Sequence, residues 1–236
     1  MASTSNLPSE ALRTLPRWIR VAYAARCARR AQPLFLGFWP HVPADYSQAL
    51  NRAIVMAEEH AKLYTDAGED LPREYGRTVA AGLYLERVEK AVTDHYNSTK
   101  DSRTAAAVFA VKSAYYAALS MANAIEDLIA TRTARISTGD AKRDFITKKQ
   151  QAAHRSIEAA VHAVETAYHA IRCAYNATEF YDAMWQDFNH IVAEKSFVLG
   201  APLAEDMFVL PNEFGPMWPY GPPSDWTEYN WIEKGT

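Results

Sequence analysis

The chain has 236 residues, of which 49% are hydrophobic and 22% are charged, and its formal net charge is −3. This length and composition provide the core of one large domain or two small ones. The net charge argues against a nucleic-acid-binding protein driven by bulk charge, and nine glycines in the whole chain disfavour an all-β fold with many tight turns.

Residues 1–196 predict an all-α, single-domain bundle of about six helices. Apolar residues recur there at helical spacing, and prolines, glycines and short polar clusters separate the segments. We expect Pro33 to end the first helix, Asp45 to cap the second, and the run from Asn97 to Thr99 to form a turn. The fourth helix, which is rich in alanine, is expected to be central. The expected helices cover about 16–31, 45–65, 72–96, 102–133, 140–174 and 178–195.

Residues 197–236 differ from the helical domain in composition. They hold six of the twelve prolines, three of the six tryptophans and four of the nine glycines. Proline at this density excludes regular helix and strand, whereas ordinary disordered tails contain little Trp or Tyr. We therefore expect an extended, Pro/Trp-rich C-terminal strap whose rings dock on the helical body. The alternative is a flexible segment that docks on another protein.

Charge is distributed unevenly along the chain. Residues 1–32 contain six arginines and one glutamate, whereas residues 197–236 contain six acidic residues and one lysine. One interpretation is that the strap lies against the first helix and the two neutralise each other. The other is that one of them is an open face for a partner, since an acidic, Trp-rich surface suits a basic target.

The fifth helix carries an alternating stripe of histidine and glutamate. Side chains of these types one turn apart can ligate a metal or exchange a proton. The same stripe is the only hydrophilic face of its helix, which favours a solvated surface over a partner-binding face or a metal site. A carboxylate-bridged metal bundle also needs Glu-x-x-His on two helices, and no such pattern is present. The stripe consists of His154, Glu158, His162, Glu165 and His169.

The fourth helix carries a seam of polar residues on an otherwise apolar surface. Buried polar groups need hydrogen-bond partners, so this seam is expected to set the packing register between helices. The alternative is that it lines a ligand pocket. The polar seam consists of Ser113, Tyr116, Ser120, Asn123 and Asp127.

The remaining signals restrict compartment and chemistry. Cys27 and Cys173 are far apart in the sequence, which excludes a disulfide framework and a cysteine-based structural zinc site. The start of the chain lacks the basic and apolar segments of a signal peptide, and nine of the 21 residues in the apolar window 105–125 are alanine, which adds little to membrane insertion. We therefore expect a cytoplasmic protein without a membrane partner. Nucleotide-binding, nucleophile-elbow and zinc-protease motifs are missing from the sequence, so we expect no cofactor, no metal and no catalytic residue.

Three segments resemble the opening of a known family. Leu15-Pro16-Arg17-Trp18, the run AYAARCARR from Ala22 to Arg30, and DYSQALNRAIVMAEEHA from Asp45 to Ala61 are similar to an all-helical family of immunity proteins from bacterial polymorphic toxin systems. The resemblance covers about residues 15–175. It implies a helical, non-enzymatic, cytosolic protein that binds and blocks a toxin.

We therefore expect a protein-binding module that neutralises a toxin or effector by steric occlusion and charge complementarity. No nucleic-acid partner is expected, and the sequence does not indicate an oligomeric state. The alternatives are a ligand-binding or metal-dependent helical enzyme that uses the stripe or the seam, and a scaffold subunit that assembles through the arginine-rich first helix. Aromatic anchors flanked by acidic residues are the expected contact site. These are Trp218, Tyr220, Asp225, Trp226, Glu228 and Trp231.

Overall fold

The structure is a computed structural model that describes residues 9–63, 70–174, 177–194, 214 and 217. Its helices confirm the all-α bundle, and no strand occurs within these residues. Six of the helices are long, and the short first one was not predicted from the sequence. The bounds are α1 Ser9–Leu12, α2 Arg17–Phe38, α3 Ala44–Leu63, α4 Leu71–Thr99, α5 Ser102–Ile136, α6 Gly139–Ala174 and α7 Thr178–Glu194.

Two helices form the centre of the bundle. As expected, α5 is central: it pairs with α6 along its length and also packs on α2, α3 and α4. Helix α2 is the second central element, since 17 of its 22 residues are buried. Alanines on α5 and α6 let the two helix axes approach closely, because a methyl group adds little width between them.

Among the described helices, α5 is the one whose length and apolar composition would allow it to cross a membrane. In the bundle, 67% of its most apolar window is buried. This burial is typical of a core helix, whose apolar surface is covered by neighbouring helices rather than by lipid.

Pro33 does not end its helix, contrary to the prediction. Helix α2 contains Pro33 and continues to Phe38. A proline inside a helix costs about 3 kcal/mol, but burying Leu34 and Phe35 contributes about 1.5–3 kcal/mol each. Their exposed fractions are 3% and 0%, so burial outweighs the lost backbone hydrogen bond.

The predicted cap and the predicted turn also differ from the structure. Asp45 lies inside the first turn of α3, where its Oδ2 accepts a 2.6 Å hydrogen bond from the Tyr84 hydroxyl. The run from Asn97 to Thr99 is the last turn of α4 rather than a separate turn, and Lys100, the residue that caps the helix, has φ 54°. Ser98 and Thr99 donate their hydroxyls to the carbonyl of His95, which satisfies an acceptor at the helix end.

Candidate functional site

The polar seam joins α5 to α6. Ser113 Oγ donates to the carbonyl of Ala163 at 2.7 Å, and Ser120 Oγ donates to the carbonyl of Ser156 at 2.9 Å. Ser156 returns the contact, because its Oγ donates to the carbonyl of Ser120 at 3.0 Å. All three serines are buried, and each hydroxyl has a backbone partner across the interface. The seam therefore sets the register of the helix pair, as expected.

The other members of the seam also have partners on neighbouring helices. Asn123 accepts a 3.1 Å hydrogen bond from Arg155 Nε, and Asp127 lies 2.9 Å from Arg17 Nη1 of α2. The ring of Tyr116 lies 5.2 Å from that of His162. Every seam residue thus contacts a neighbouring helix, which favours the structural interpretation over a ligand pocket.

Helix α2 carries arginines into the interior of the bundle, where helical carboxylates meet them. Arg26 Nε and Arg30 Nη1 lie 2.7 Å and 2.6 Å from the same oxygen, Asp187 Oδ2 of α7. The three side chains, here called the α2–α7 ion cluster, are almost fully buried. Arg29 is bound by Glu58 of α3 through two hydrogen bonds of 3.1 Å and 2.6 Å.

These pairs change the interpretation of the uneven charge. The carboxylates that meet the α2 arginines in the described part of the chain belong to α3, α5 and α7. The acidic residues of 197–236 lie outside the described residues. Because Arg17, Arg26, Arg29 and Arg30 form ion pairs with these carboxylates, α2 is a poor candidate for the open, charge-driven assembly face that the sequence suggested.

Burial alters the acid–base properties of side chains around the ion cluster. Removal from water raises the pKa of Cys27 to about 12 and raises that of Tyr23 well above its ordinary value. Tyr23 donates its hydroxyl to the carbonyl of Met184 at 2.7 Å. Desolvation lowers the pKa of Arg26, with Asp187 opposing the shift. Such a thiol stays protonated at neutral pH, so Cys27 is a packing residue rather than a nucleophile.

Two residues of the C-terminal segment are described, and both lie against α2. Phe214 is 4% exposed, and the guanidinium carbon of Arg26 lies 5.1 Å from its ring centroid. Arg30 Nε donates to the carbonyl oxygen of Met217 at 2.8 Å. The ion cluster therefore also anchors the segment at residues 214 and 217, which we call the strap anchor.

A small cavity remains beside the strap anchor. It measures about 80 Å³ and is lined by Ala22, Arg26, Glu58, Phe214 and Met217. Sites for small organic ligands are usually about 300–1,000 Å³, so this volume suits a few water molecules rather than a substrate.

The sequence of α7 contains a further signal, which points to the ion cluster. Phe180, Met184, Asp187 and Ile191 follow each other at spacings of four, three and four, which places them on one face of α7. Apart from Asp187, these residues are apolar, and all of them are buried. An acidic residue at a core position predicts a buried cationic partner, and Arg26 and Arg30 share one face of α2 at a spacing of four.

The histidine–glutamate stripe is at the surface, as its solvated interpretation predicts. His154, His162 and His169 are exposed, and Glu158 is occupied by a side-chain ion pair with Arg13. Arg13 is the main reason that the pKa of Glu158 is lowered. Within the described residues, no group of three or more His, Cys, Asp or Glu side chains is arranged to hold a metal ion.

A half-buried aromatic patch lies where α2, α3 and α4 meet. The Trp39 ring stacks on His95 with centroids 5.4 Å apart, and it also contacts Tyr46 at 6.1 Å. Tyr46 in turn contacts Tyr84 edge to face at 6.3 Å. Leu36, which is 40% exposed, comes three residues before Trp39. No pattern along the sequence indicates this patch, because its members come from the end of α2, from α3 and from α4.

The six predicted contact residues lie outside the described residues, so their side chains have no structural description here. They are Trp218, Tyr220, Asp225, Trp226, Glu228 and Trp231. Trp218 follows Met217 directly in the chain, so the segment that contains them begins at the strap anchor. Comparison with known proteins adds no relative, since no family model, curated protein or solved structure matches the chain.

Proposed function

We propose that this chain is a protein-binding module that neutralises a toxin or effector by covering its functional surface. The contact residues in this proposal are the aromatic and acidic side chains of 218–231. A basic partner suits them, because opposite charges speed encounter and buried rings supply most of the affinity. The same role is implied by the resemblance to bacterial immunity proteins.

The observation that carries the proposal is the strap anchor. Phe214 is buried against α2, and Met217 is bound by Arg30, whose side chain is itself held by Asp187. A segment fixed at its start loses less conformational freedom on binding than a free tail, so more of its contact energy appears as affinity. The anchor thus favours a binding role for the aromatic, proline-rich segment that follows it.

The polar groups of the bundle support the proposal from another side. The seam, the ion cluster and the Arg17–Asp127 pair are all occupied by contacts between helices. These groups have structural roles, which leaves surface contact as the function that the described residues support best.

The test is capture and inhibition with matched variants. Full-length tagged protein is used to capture its partner from the cells that produce it, and the affinity of the purified pair is then measured by calorimetry. We expect the double variant Trp218→Ala/Trp226→Ala to lose at least 100-fold in affinity, since hot-spot rings contribute about 2 kcal/mol or more each. The purified chain should also inhibit the captured partner's own activity.

The aromatic patch supplies the control. Leu36→Ser and Tyr84→Ala change exposed or half-buried residues that are not part of the strap anchor, and they should leave affinity within about twofold. Loss of binding in these variants, with full binding by the tryptophan variant, would place the contact on the patch and refute the site. A captured partner that stays fully active in the complex would refute neutralisation.

Truncation must respect the strap anchor. A chain ending at Met217 keeps Phe214 and the Met217 carbonyl in place, so we expect its unfolding midpoint to match that of the full chain while partner capture is lost. A chain ending at Gly200 also removes the cover of the ion cluster and should unfold earlier. Retained capture by the chain that ends at Met217 would exclude 218–231 as the contact site.

A further inference from the structure

The far end of the α5–α6 hairpin is a surface without a role in the packing described above. We call residues 135–151, which comprise the end of α5, the turn and the start of α6, the hairpin tip. None of these 17 residues is buried, and the first buried positions behind them are Ala134 and Ala152. With a rise of about 1.5 Å per residue, the tip lies roughly 50 Å from the opposite end of α5.

The hairpin tip is strongly basic in a chain whose net charge is negative. Its five cationic and two acidic residues give a local charge of +3, against −3 for the whole sequence. Asp140 lies 3.4 Å from Arg143, but both side chains are at least 85% exposed, so water screens this pair. The cationic residues are Arg135, Lys142, Arg143, Lys148 and Lys149, and the second acidic residue is Asp144.

The tip also exposes large apolar side chains among these cations. Ile136 is 85% exposed and Ile146 is 41% exposed, and they are two of the four large apolar side chains exposed in the described residues. The ring of Phe145, which is half-buried, lies under the ammonium group of Lys148 at 5.3 Å. Isolated exposed apolar residues are common, but two of them within a basic tip form a combined apolar and cationic surface.

We propose that the hairpin tip docks on an anionic membrane surface. Its cations would lie against the phosphate and carboxylate groups of acidic phospholipids, and Ile136 and Ile146 would enter the boundary between headgroups and acyl chains. Basic residues with apolar neighbours on a protruding helix end are the chemistry that recognises such a surface. The charge-complementary occupant is therefore an acidic lipid bilayer, with the helical body held away from it.

The apolar residues decide between this occupant and nucleic acid. A phosphate backbone explains the cations but leaves Ile136 exposed to water, whereas a bilayer covers both. This proposal departs from the sequence-based expectation of no membrane partner, which rested on the start of the chain and on the composition of the window 105–125. One cation of the tip lies at the end of α5 and the other four lie in the first three turns of α6, and the fold leaves this stretch without buried residues.

The test is sedimentation of the full chain with sucrose-loaded vesicles of phosphatidylcholine, with and without 30% phosphatidylserine. We expect binding to the anionic vesicles that weakens as salt rises. Each basic residue near an anionic surface contributes on the order of fivefold in affinity, so Lys142→Glu/Lys148→Glu should lose at least tenfold. Ile136→Ser/Ile146→Ser should also lose on the order of tenfold, because it removes the apolar contact.

Two matched controls lie outside the hairpin tip, one on α5 and one on α4. Arg103→Glu reverses an exposed charge at the opposite end of α5, and Leu83→Ser removes an exposed leucine of α4; both should bind vesicles like the unmodified chain. Absence of binding to anionic vesicles at low salt overturns the proposal. So does tighter binding to a 20-base-pair DNA duplex that Ile136→Ser/Ile146→Ser leaves unchanged.

Discussion

At the scale of single residues, the bundle is notable for the charged groups inside it. Arg17, Arg26 and Arg30 are each at most 6% exposed, and each meets an aspartate. Moving each of these ions out of water costs several kcal/mol, and the attraction between the paired charges offsets that cost in the folded state. Removing one partner is therefore far more damaging than removing a surface ion pair.

Asp187→Asn tests this directly. The substitution keeps the size of the side chain but removes the negative charge that both buried guanidinium groups contact, so we expect the free energy of unfolding to fall by about 3–5 kcal/mol. Asp94→Asn, which breaks the exposed Lys90–Asp94 pair, should leave the free energy of unfolding almost unchanged, because water screens the two charges. Urea unfolding followed by circular dichroism measures both. A loss below about 1 kcal/mol for Asp187→Asn would contradict the assigned role of the cluster.

The thiol of Cys27 makes the free energy of unfolding depend on pH. Its pKa is about 12 in the folded state and about 9 in a solvated chain, with Arg26, Arg30 and Asp187 facing the thiol. Above pH 9 the unfolded state releases this proton and the folded state keeps it, so stability is lost as pH rises. From pH 9 to 10 the expected loss from this thiol is about 1 kcal/mol.

The variant Cys27→Ala isolates that contribution. It should reduce the alkaline loss of stability between pH 9 and 10, whereas Cys173→Ala, at a half-buried thiol with a smaller upward pKa shift, should reduce it less. Denaturant unfolding at the two pH values measures how much the free energy of unfolding changes between them. The window ends at pH 10 because burial lowers the pKa of Arg20 to about 10. An equal slope in Cys27→Ala and the unmodified chain would refute the assignment.

At the scale of elements, the α5–α6 pair depends on small side chains at its contact. The reciprocal serine hydrogen bonds require the two backbones to lie close together, since each hydroxyl reaches a carbonyl of the other helix. Both carbonyls lie within helices and also accept hydrogen bonds from their own helix. Close packing of the two helices therefore contributes more to the stability of the pair than the serine hydrogen bonds do.

Two substitutions at Ser120 separate size from hydrogen bonding. Ser120→Ala removes one hydroxyl and should cost about 1 kcal/mol. Ser120→Leu inserts bulk between the helices and should cost about 1–3 kcal/mol more through overpacking. Thermal or denaturant unfolding measures the difference. Equal costs for the two variants would mean that α5 and α6 are not in close contact at this position.

At the scale of the whole molecule, charge connects the parts of the chain. Arginines of α2 meet carboxylates from α3, α5 and α7, and the same arginine cluster holds the strap anchor. One central helix therefore organises the core and fixes the start of the proposed binding segment. The basic hairpin tip lies apart from this arrangement, so its proposed membrane contact and the proposed protein contact are separable by mutation.

Much of the fold follows from local patterns. Apolar residues at helical spacing and the breaks between them predicted six long helices, and the alanine-rich fourth one is central as expected. The errors occurred where tertiary contacts oppose local signals: Pro33 lies within α2 because the following apolar residues are buried, and Asp45 bonds to Tyr84 instead of capping α3.

The amino-acid sequence by itself determined the helix content, and it favoured a solvated histidine–glutamate stripe and a register role for the polar seam, because each depends on periodicity along one helix. The tertiary structure decided which charges pair, where residues 214 and 217 lie, and that the basic residues of α5 and α6 form one exposed tip. The first two properties join residues far apart in the chain, and the third depends on which residues the neighbouring helices cover. A sequence read along one helix shows that Asp187 lies on a core face, but only packing brings Arg26 and Arg30 to it.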